Sequence, residues 1–324
     1  MNLALYSALL GSLQVVNPRT GRLDADDTAF LARQIEHVRS TIYERRFPAL
    51  LARTFLPTAT DVPSWASHVV EVQYDSAGRA KVIANGSDDF PRVDVVASES
   101  AFKVVSIGDA YGYTLMDLRQ ALATGTPLQD RKGATARRVI ETGIDEILAT
   151  GQLDTVEQAF GMVGFLNASA VDDVAPDNDP WASATPDEMV ADMNKLVDAP
   201  SENTNEVFET TDLILSPALF RLVNKTKMGS GTDTTTLEFF KKTNPGVSVH
   251  KWHRCAGAGA EGKDRIVAYH KSPEVIEALV TQEFEQLPPQ VRNLETLILC
   301  HARCSGVRIH HPMGINYMDL TAPT

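Results

Sequence analysis

The sequence predicts an α+β fold, and three observations support this class. Segments in which apolar and polar residues alternate, such as 68–84, are typical of half-buried strands. Segments with helical spacing of apolar residues begin at capping signals, as at Thr126 and Thr185. The chain has 324 residues, of which 43% are hydrophobic, so it can bury the core of one large fold or of two lobes.

The N-terminal part of the sequence predicts a helical arm. Within residues 26–47, four apolar residues recur at helical spacing, and Asp26 or Asp27 can cap the helix. The apolar residues are Leu31, Ile35, Val38 and Ile42. Arginines are frequent here but glutamates interrupt them, so we interpret the polar side as a solvated helix face.

A β-hairpin is predicted at 68–84, where a turn containing Asp75 and Gly78 separates two alternating runs. An isolated two-stranded hairpin is marginally stable in water. We therefore expect this hairpin to lie on a surface of its own chain or of a neighbour. Further strands are predicted at 93–96 and 102–107.

The middle of the chain predicts two consecutive helices. Thr114 and Asp117 mark the start of the first helix, which should stop near Gly125. The second helix is predicted at 126–150, with Gly151 as its C-terminal stop, and at about 1.5 Å per residue it is roughly 35 Å long. Its N-terminal signals are Thr126, Pro127 and Gln129.

After a polar loop at 167–181, the sequence predicts an α+β lobe. A helix capped by Thr185 runs to about Asp198, whereas 273–284 fits either a helix or a strand. The shorter elements are helices from Ser216 and around 237–241, and strands at 213–215, 247–252 and 265–269. Two more strand-like runs follow within 284–319.

The composition disfavours several classes of function. A formal net charge of −12 argues against a general nucleic-acid binder, because affinity for phosphate backbones comes from clustered Lys and Arg. Three cysteines are too few for a disulfide framework and favour a reducing compartment. The sequence shows neither a secretory signal nor an apolar run of about 20 residues, so we expect a soluble intracellular product without membrane contact.

Glycine spacing offers one candidate cofactor site. Gly257, Gly259 and Gly262 match the G-x-G-x-x-G pattern of dinucleotide-binding loops. That pattern needs a helix after the glycines, because the helix N-terminus holds the pyrophosphate. A strand-like run follows here instead, so we predict a loop between strands. The glycine-containing segment 228–236 lacks the Gly-Lys-Ser/Thr of a phosphate loop and predicts a loop before a helix.

Cysteine and histidine clustering offers a candidate zinc site. The residues are Cys300, His301, Cys304, His310 and His311. In a strand, residues four apart are separated by about 13 Å, too far to share a metal whose bonds are roughly 2.0–2.3 Å long. A helix would bring them closer, but the alternating pattern favours a strand. We therefore predict buried structural cysteines and exposed histidines.

An acidic loop offers a candidate calcium site, formed by Asp172, Asp173, Asp177 and Asp179. The spacing of an EF-hand loop, with its central Gly and terminal Glu, is absent, so solvated carboxylates are the preferred interpretation. The sequence also lacks a Gly-x-Ser-x-Gly elbow, an HExxH helix and a recognisable Ser, His and Asp trio. We predict no catalytic, cofactor-binding or metal-binding residue, and no enzyme.

Several blocks spread over about 30–319 resemble one known family. They are FLARQIEHVRSTIYERRFPAL, AKVIANGSDDFPRVDV, SIGDAYGYTLMDLRQAL, ARRVIETGIDEI, GFLN, GSGTDTTTLEFF, DRIVAYHKSPEV, FEQLPPQ and HARCSGVRIHHPMGINYMD. In this order they are similar to the Hong Kong 97-type major capsid proteins of tailed bacteriophages, in a branch described as a domain of unknown function. The shared order makes the resemblance specific.

The resemblance implies a division of the chain into parts. These are an N-terminal arm at 1–53, an extended loop with a β-hairpin at 54–92, a peripheral domain at 93–153 and 272–324 with a spine helix at 126–150, and an axial domain at 154–271. The extended loop would reach over an adjacent subunit. That position would supply the surface that a long hairpin requires.

The resemblance also implies a function. The chain would self-assemble, as hexamers and pentamers, into the icosahedral head that encloses the double-stranded DNA of a tailed phage, without sequence-specific DNA contacts. Scaffolding, portal and decoration proteins would be its partners, and assembly would take place in the host cytoplasm, with the virion as final location. Some relatives cross-link a loop Lys to an Asn, but the presence of Lys81 and Asn85 does not carry that chemistry over.

Two alternatives remain open at this point. A shell protein of an encapsulin-like bacterial nanocompartment would share the fold class. A soluble enzyme with a dispersed active site belongs to a different class, because triad residues need not be close in sequence.

Overall fold

In the computed structural model, the helices and strands of the described residues lie within one compact unit, Leu50–Thr324. The structure describes residues 47–77, 92–117, 119, 128–153, 162–229 and 231–323. The helices are α1 (Ala52–Phe55), α2 (Leu128–Thr150), α3 (Pro186–Thr204), α4 (Pro217–Lys225) and α5 (Thr236–Thr243). The strands are β1 (His68–Ala77), β2 (Asp94–Lys103), β3 (Val105–Thr114), β4 (Asp172–Asp173), β5 (Asp212–Leu215), β6 (Ser248–Lys251), β7 (Asp264–Tyr269), β8 (Ile276–Gln286), β9 (Gln290–Arg292), β10 (Glu295–Ile309) and β11 (Ile315–Leu320).

The strands of the described residues form three sheets, which confirms the predicted α+β class. β1 and β2 make an antiparallel ribbon. β10 lies between β3 and β8, and β9 also pairs with β10. The third sheet has the order β4-β11-β7-β5-β6. The predicted arm helix at 26–47 lies outside the described residues except for its last position.

Helix α2 corresponds to the long predicted helix, and its apolar side packs against the sheet that contains β3 and β10. Ile140, Ile144, Ile147 and Leu148 lie on one helix face and are buried, since residues three and four apart share a face. The helix ends as predicted before Gly151, whose φ of +71° lies in the left-handed region. The predicted capping residues Thr126 and Pro127 lie outside the described residues.

The predicted capping signals are confirmed where the structure describes them. The Thr185 N–H donates to Glu188 Oε2 at 2.6 Å, and the Glu188 N–H donates back to Thr185 Oγ1 at 3.4 Å. Helix α3 continues past the predicted end at Asp198, because Ala199 and Pro200 are buried and extend its apolar face. Ser216 caps α4 as predicted, with its hydroxyl accepting from the Leu219 N–H at 3.2 Å.

The predicted hairpin at 68–84 is wrong in its pairing. Strand β1 continues through the expected turn at Asp75, and its partner is β2, in a register that joins His68 to Lys103 and Ala77 to Asp94. This ladder of two ten-residue strands pairs more backbone N–H and C=O groups than the short hairpin would. The second half of the predicted hairpin, at 80–84, lies outside the described residues.

The C-terminal segment contributes to two sheets. The ambiguous stretch at 273–284 is strand β8, and β10 runs for 15 residues between β3 and β8. Strand β11 then pairs with β7 in the sheet that also holds β5. The predicted boundary between the axial domain and the final part of the peripheral domain lies after residue 271. This boundary divides the five-stranded sheet, because β11 lies between β4 and β7.

Candidate assembly surface

One face of the β1–β2 ribbon is apolar and exposed. Val70, Val72 and Tyr74 point to the same side because side chains alternate along a strand. Their side chains are 58%, 46% and 75% exposed. The residues opposite them on β2, which share that face, are Ala101, Glu99 and Ala97. The face is thus largely apolar, with the exposed Glu99 among its apolar residues. A group of exposed apolar side chains of this kind marks a contact surface for another macromolecule.

The opposite face of the ribbon contacts its own subunit. Glu71 forms an ion pair with Arg308, and Glu71 Oε2 lies 3.3 Å from His310 Nδ1. The Gln73 side-chain amide donates to the His310 carbonyl at 2.9 Å. These contacts of the ribbon with its own subunit are polar, whereas Val70, Val72 and Tyr74 lie on the outward face.

The base of the ribbon is also fixed on β10. The Arg303 guanidinium donates to the carbonyl oxygens of Ser64 and Ala66, the latter at 2.8 Å. The Ser305 hydroxyl donates to the Lys103 carbonyl at 2.6 Å. Sequence reasoning missed these contacts because the partners lie more than 200 positions apart.

A second exposed apolar group lies at one end of the β3–β10–β8 sheet. Leu115 and Met116 follow β3, Val291 lies in β9, and Leu294 lies in the β9–β10 turn; all four are exposed. The Leu115 N–H donates to the Leu294 carbonyl at 2.9 Å, which joins the two segments. The alternation used to find strands carries no information about the three of these residues that lie outside strands.

A buried ionic contact joins three segments of the body. Asp145 on α2 is 3% exposed, and it accepts from the Ala52 N–H at 3.0 Å and from Arg254 Nε at 3.2 Å. Arg254 Nη1 also lies 3.5 Å from Glu146. The contact links α1, α2 and the turn after β6.

Replacing Asp145 by alanine is expected to lower the free energy of unfolding of the unassembled subunit by about 3 kcal/mol. The change leaves the Ala52 N–H and the Nε of the largely buried Arg254 guanidinium without their acceptor. Urea denaturation measures this change. Glu146→Ala is the matched control, because that carboxylate is 38% exposed and its loss should cost less than about 1 kcal/mol. Equal effects of the two substitutions would contradict the role given to Asp145.

Of the candidate zinc residues, Cys300, His301 and Cys304 lie along β10, and His310 and His311 directly follow it. Cys300 and Cys304 are both buried in this strand, as predicted for structural cysteines. Burial raises the pKa of the Cys304 thiol to about 12, and burial together with the charge of Asp109 raises the pKa of Cys300. Both thiols are therefore protonated at neutral pH. The side chains of His301 and His310 are only 31% and 21% exposed, so the prediction of exposed histidines is wrong for these two. His311 is exposed, as predicted.

The candidate calcium residues have separate partners. Asp173 lies 3.7 Å from Arg265, and Lys263 donates to Asp179 at 2.8 Å. Asp177 pairs with Lys195 at 2.5 Å, whereas Asp172 lies in β4. Within the described residues, the His, Cys, Asp and Glu side chains form no group of three or more that could hold a metal ion.

The candidate glycine pattern lies in the connection between β6 and β7. Residues Ala260–Gly262 form a short 3-10 turn, and strand β7 begins at Asp264, which confirms the predicted loop between strands. The Ala260 N–H donates to the Asp319 carboxylate at 2.8 Å, and Arg265 binds the same carboxylate at 2.7 Å. The loop is thus fixed to β11.

Among the described residues, no helix is both long enough and apolar enough to span a membrane.

Comparison with solved structures identifies a phage capsid fold of the Hong Kong 97 type. The capsid protein of Myoviridae phage XM1 is similar with a TM-score of 0.79 and 15% identity, over 93% of this chain and 99% of that chain. A chain from Gordonia phage Cozz is similar with a TM-score of 0.62 and 9% identity, over 96% of this chain and 99% of that chain. A capsid chain of an empty GTA particle is similar with a TM-score of 0.64 and 10% identity, over 93% of this chain and 100% of that chain.

The chain belongs to the major capsid protein family, whose model matches residues 78–320. No curated protein sequence matches the chain. Membership in this family means that the chain is a structural component of a phage shell and not an enzyme. The family match favours the phage capsid over the nanocompartment and enzyme alternatives. It confirms the resemblance found in the sequence.

Proposed function

We propose that this chain is the shell subunit of a tailed-phage head that encloses double-stranded DNA, and that its copies associate as hexamers and pentamers. The observation that supports this most is the apolar outer face of the β1–β2 ribbon. Its exposed side chains, Val70, Val72 and Tyr74, need a partner surface, and a neighbouring copy in a closed shell supplies one at every position.

The parts of the subunit follow from this proposal. Residues 1–53 form the arm, residues 54–92 form the extended loop, and α2 is the spine helix of the peripheral domain. We extend the loop through β2, because β2 pairs with β1. The axial domain at 154–271 gathers around the symmetry axes. We add β11 to the axial domain, because that strand pairs with β7.

Electrostatic repulsion between subunits opposes assembly. Each chain carries a formal net charge of −12, whereas obligate interfaces bury roughly 2,000–5,000 Å². At about 25 cal/mol per Å² of apolar surface, a modest net fraction of that burial exceeds the repulsion, which salt screens further. The same acidity keeps the contact with packaged DNA weak and independent of sequence.

Scaffolding, portal and decoration proteins are the further partners in this proposal, and assembly takes place in the host cytoplasm. A separate scaffolding protein would direct the curvature of the shell, and the portal would replace one pentamer. These partners rest on the family and on no contact in the subunit.

Electron microscopy and sedimentation of the purified chain at high concentration test the proposal. We expect closed shells, tubes or capsomers. A chain that stays monomeric at every concentration and salt level would contradict self-assembly. Tight binding of assembled shells to duplex DNA at physiological salt would contradict the weak DNA contact.

A further inference from the structure

One of the three tryptophans is almost fully exposed. All three lie within the described residues, and Trp181 and Trp252 are fully buried, whereas Trp65 is 81% exposed. A tryptophan side chain buries about 150–250 Å² when it packs, and tryptophan is enriched among the residues that contribute most to protein interfaces. Trp65 is therefore a candidate anchor for a partner.

The backbone on both sides of Trp65 is fixed. The Arg303 guanidinium donates to the carbonyl oxygens of Ser64 and Ala66. The Ala66 N–H donates to the Pro63 carbonyl at 3.1 Å, and the Ala66 side chain is buried. A side chain presented by a fixed turn loses little conformational freedom when it binds. The turn thus prepares Trp65 for contact.

A groove on the other side of the subunit fits a large apolar side chain. It is lined by α2 and the β3–β10–β8 sheet and has a volume of about 530 Å³, which is within the usual range of ligand pockets. Gly133 and Ala134 leave its helix side open because they have little or no side chain. We call this cavity the α2 groove. Its larger lining residues include Tyr111, Arg137, Phe284 and Gln286.

The α2 groove offers the contacts that an indole requires. The Arg137 Cζ atom lies 5.8 Å from the centre of the Phe284 ring, so the guanidinium is already placed to stack on a second aromatic ring. The Gln286 amide donates to the Tyr111 hydroxyl at 3.2 Å, and within the described part of the chain no hydrogen bond reaches Gln286 Oε1. That oxygen can accept the indole N–H, which only donates.

The charges around the two surfaces are complementary. Residues 131–138 of α2 carry four cations and no carboxylate, although the chain as a whole has a net charge of −12. Segment 56–67, which contains Trp65, carries Asp61 and no Lys or Arg. Asp61 is exposed. Opposite charges on two surfaces steer their encounter and fix their orientation.

Trp65 and the α2 groove lie on opposite faces of one sheet. Ile298 on β10 lines the groove beside α2. Strand β10 pairs with β3 without interruption from Glu295 to Cys304, and side chains alternate along a strand, so Arg303 lies on the face opposite Ile298. Arg303 therefore holds Trp65 on the side away from α2. The two surfaces can meet only between copies.

We propose that Trp65 of one copy inserts into the α2 groove of a second copy. The contact joins two different surfaces, so it is heterologous, and its repetition around an axis closes a ring. It is separate from the contact made by the apolar face of the ribbon. The inference rests on the proposed function, because it states which surfaces of the self-associating chain meet.

Acrylamide quenching of tryptophan fluorescence tests whether Trp65 becomes buried. Trp181 and Trp252 are already buried in the subunit, so the quenchable emission of the unassembled full-length chain comes from Trp65. We expect this quenchable emission to be lost when copies associate. Trp65→Ala should lack it in both states. A Trp65 that stays quenchable in the associated chain would overturn the proposal.

Photo-cross-linking locates the partner surface. With Trp65 replaced by p-benzoylphenylalanine, irradiation of the associated chain should give cross-links to residues 133–137 or 284–286. A mixture of isotope-labelled and unlabelled copies shows by mass spectrometry that each cross-link joins two copies. Cross-links within one copy, to another region of a second copy or to a co-purified protein would overturn the proposal.

Substitutions on each surface measure the strength of the contact. Trp65→Ala should weaken association about 30-fold or more, the loss expected for an anchor residue, as measured by sedimentation velocity. Ala134→Phe fills the α2 groove and should cause a similar loss. Ala191→Phe is the matched control, since it makes the same change at an exposed alanine of helix α3 and should associate like the wild type. Equal effects of the two phenylalanine variants would contradict the groove.

Mixing the two defective variants tests the pairing itself. The Ala134→Phe copy supplies Trp65, and the Trp65→Ala copy supplies an open groove, so an equimolar mixture should associate more tightly than either variant alone. No gain on mixing would overturn the proposal.

The proposal and the proposed function can fail separately. Shells whose cross-links from position 65 fall outside the α2 groove would disprove this contact and leave the shell function intact. Pairs that cross-link through the groove but never grow into shells would support this contact and contradict the shell function.

Discussion

Replacing Val72 and Tyr74 together by aspartate is expected to abolish shell formation and leave the subunit folded. Both side chains are exposed in the subunit, so the substitutions should change its free energy of unfolding by less than about 0.5 kcal/mol. In the shell, each lost burial costs about 1.5–3 kcal/mol, which weakens every ribbon contact by about 100-fold or more. Sedimentation velocity and electron microscopy measure the assembled fraction.

The control for this prediction is Val207→Asp, which makes the same chemical change at an exposed valine outside the ribbon. This variant should assemble like the wild type. Shells from the double aspartate variant would refute the role of the ribbon face. A loss of assembly in Val207→Asp alone would place the essential contact elsewhere.

Replacing Gly151 by alanine is expected to lower the free energy of unfolding by about 4 kcal/mol. Its φ of +71° disfavours any side chain, and an added Cβ would lie 2.3 Å from the Met162 carbonyl oxygen, a backbone atom that cannot rotate away. The residue also terminates α2, so the clash falls where the helix meets the following segment. Thermal or urea unfolding of the unassembled subunit measures the loss.

Gly262→Ala separates the two causes. Gly262 has a φ of +75°, but a Cβ there would meet no atom within 4 Å. Its substitution should therefore lower the free energy of unfolding only by the cost of the left-handed backbone conformation, about 1 kcal/mol. Similar losses at both positions would mean that the contact with Met162 contributes little and that the local packing differs from the structure.

Local signals predicted the local elements of the fold. The capping box of Thr185 and Glu188 and the glycine after α2 each act within a few residues, and the structure confirms both. Strand pairing was harder, because the partner of β1 is chosen by the stability of the whole ladder. The turn signal at Asp75 was overridden by continued pairing with β2.

The contacts of the ribbon were beyond local reasoning. Glu71 and Arg308 are separated by more than 200 positions, and neither has a sequence pattern that identifies its partner. The apolar outer face was partly visible, since Val70, Val72 and Tyr74 alternate in the sequence. The face of β1 that points to solvent is decided by the contacts of the other face with the rest of the subunit. The sequence of the ribbon alone does not contain this information.

The place of β11 has a consequence for the timing of folding. This strand lies between β4 and β7, and it pairs with β7 some 50 residues earlier and with β4 more than 140 residues earlier. During synthesis, the five-stranded sheet therefore stays incomplete until residues 315–320 have left the ribosome. A chain still being translated cannot present a finished subunit to its neighbours, so shell growth draws only on chains in which this strand has docked.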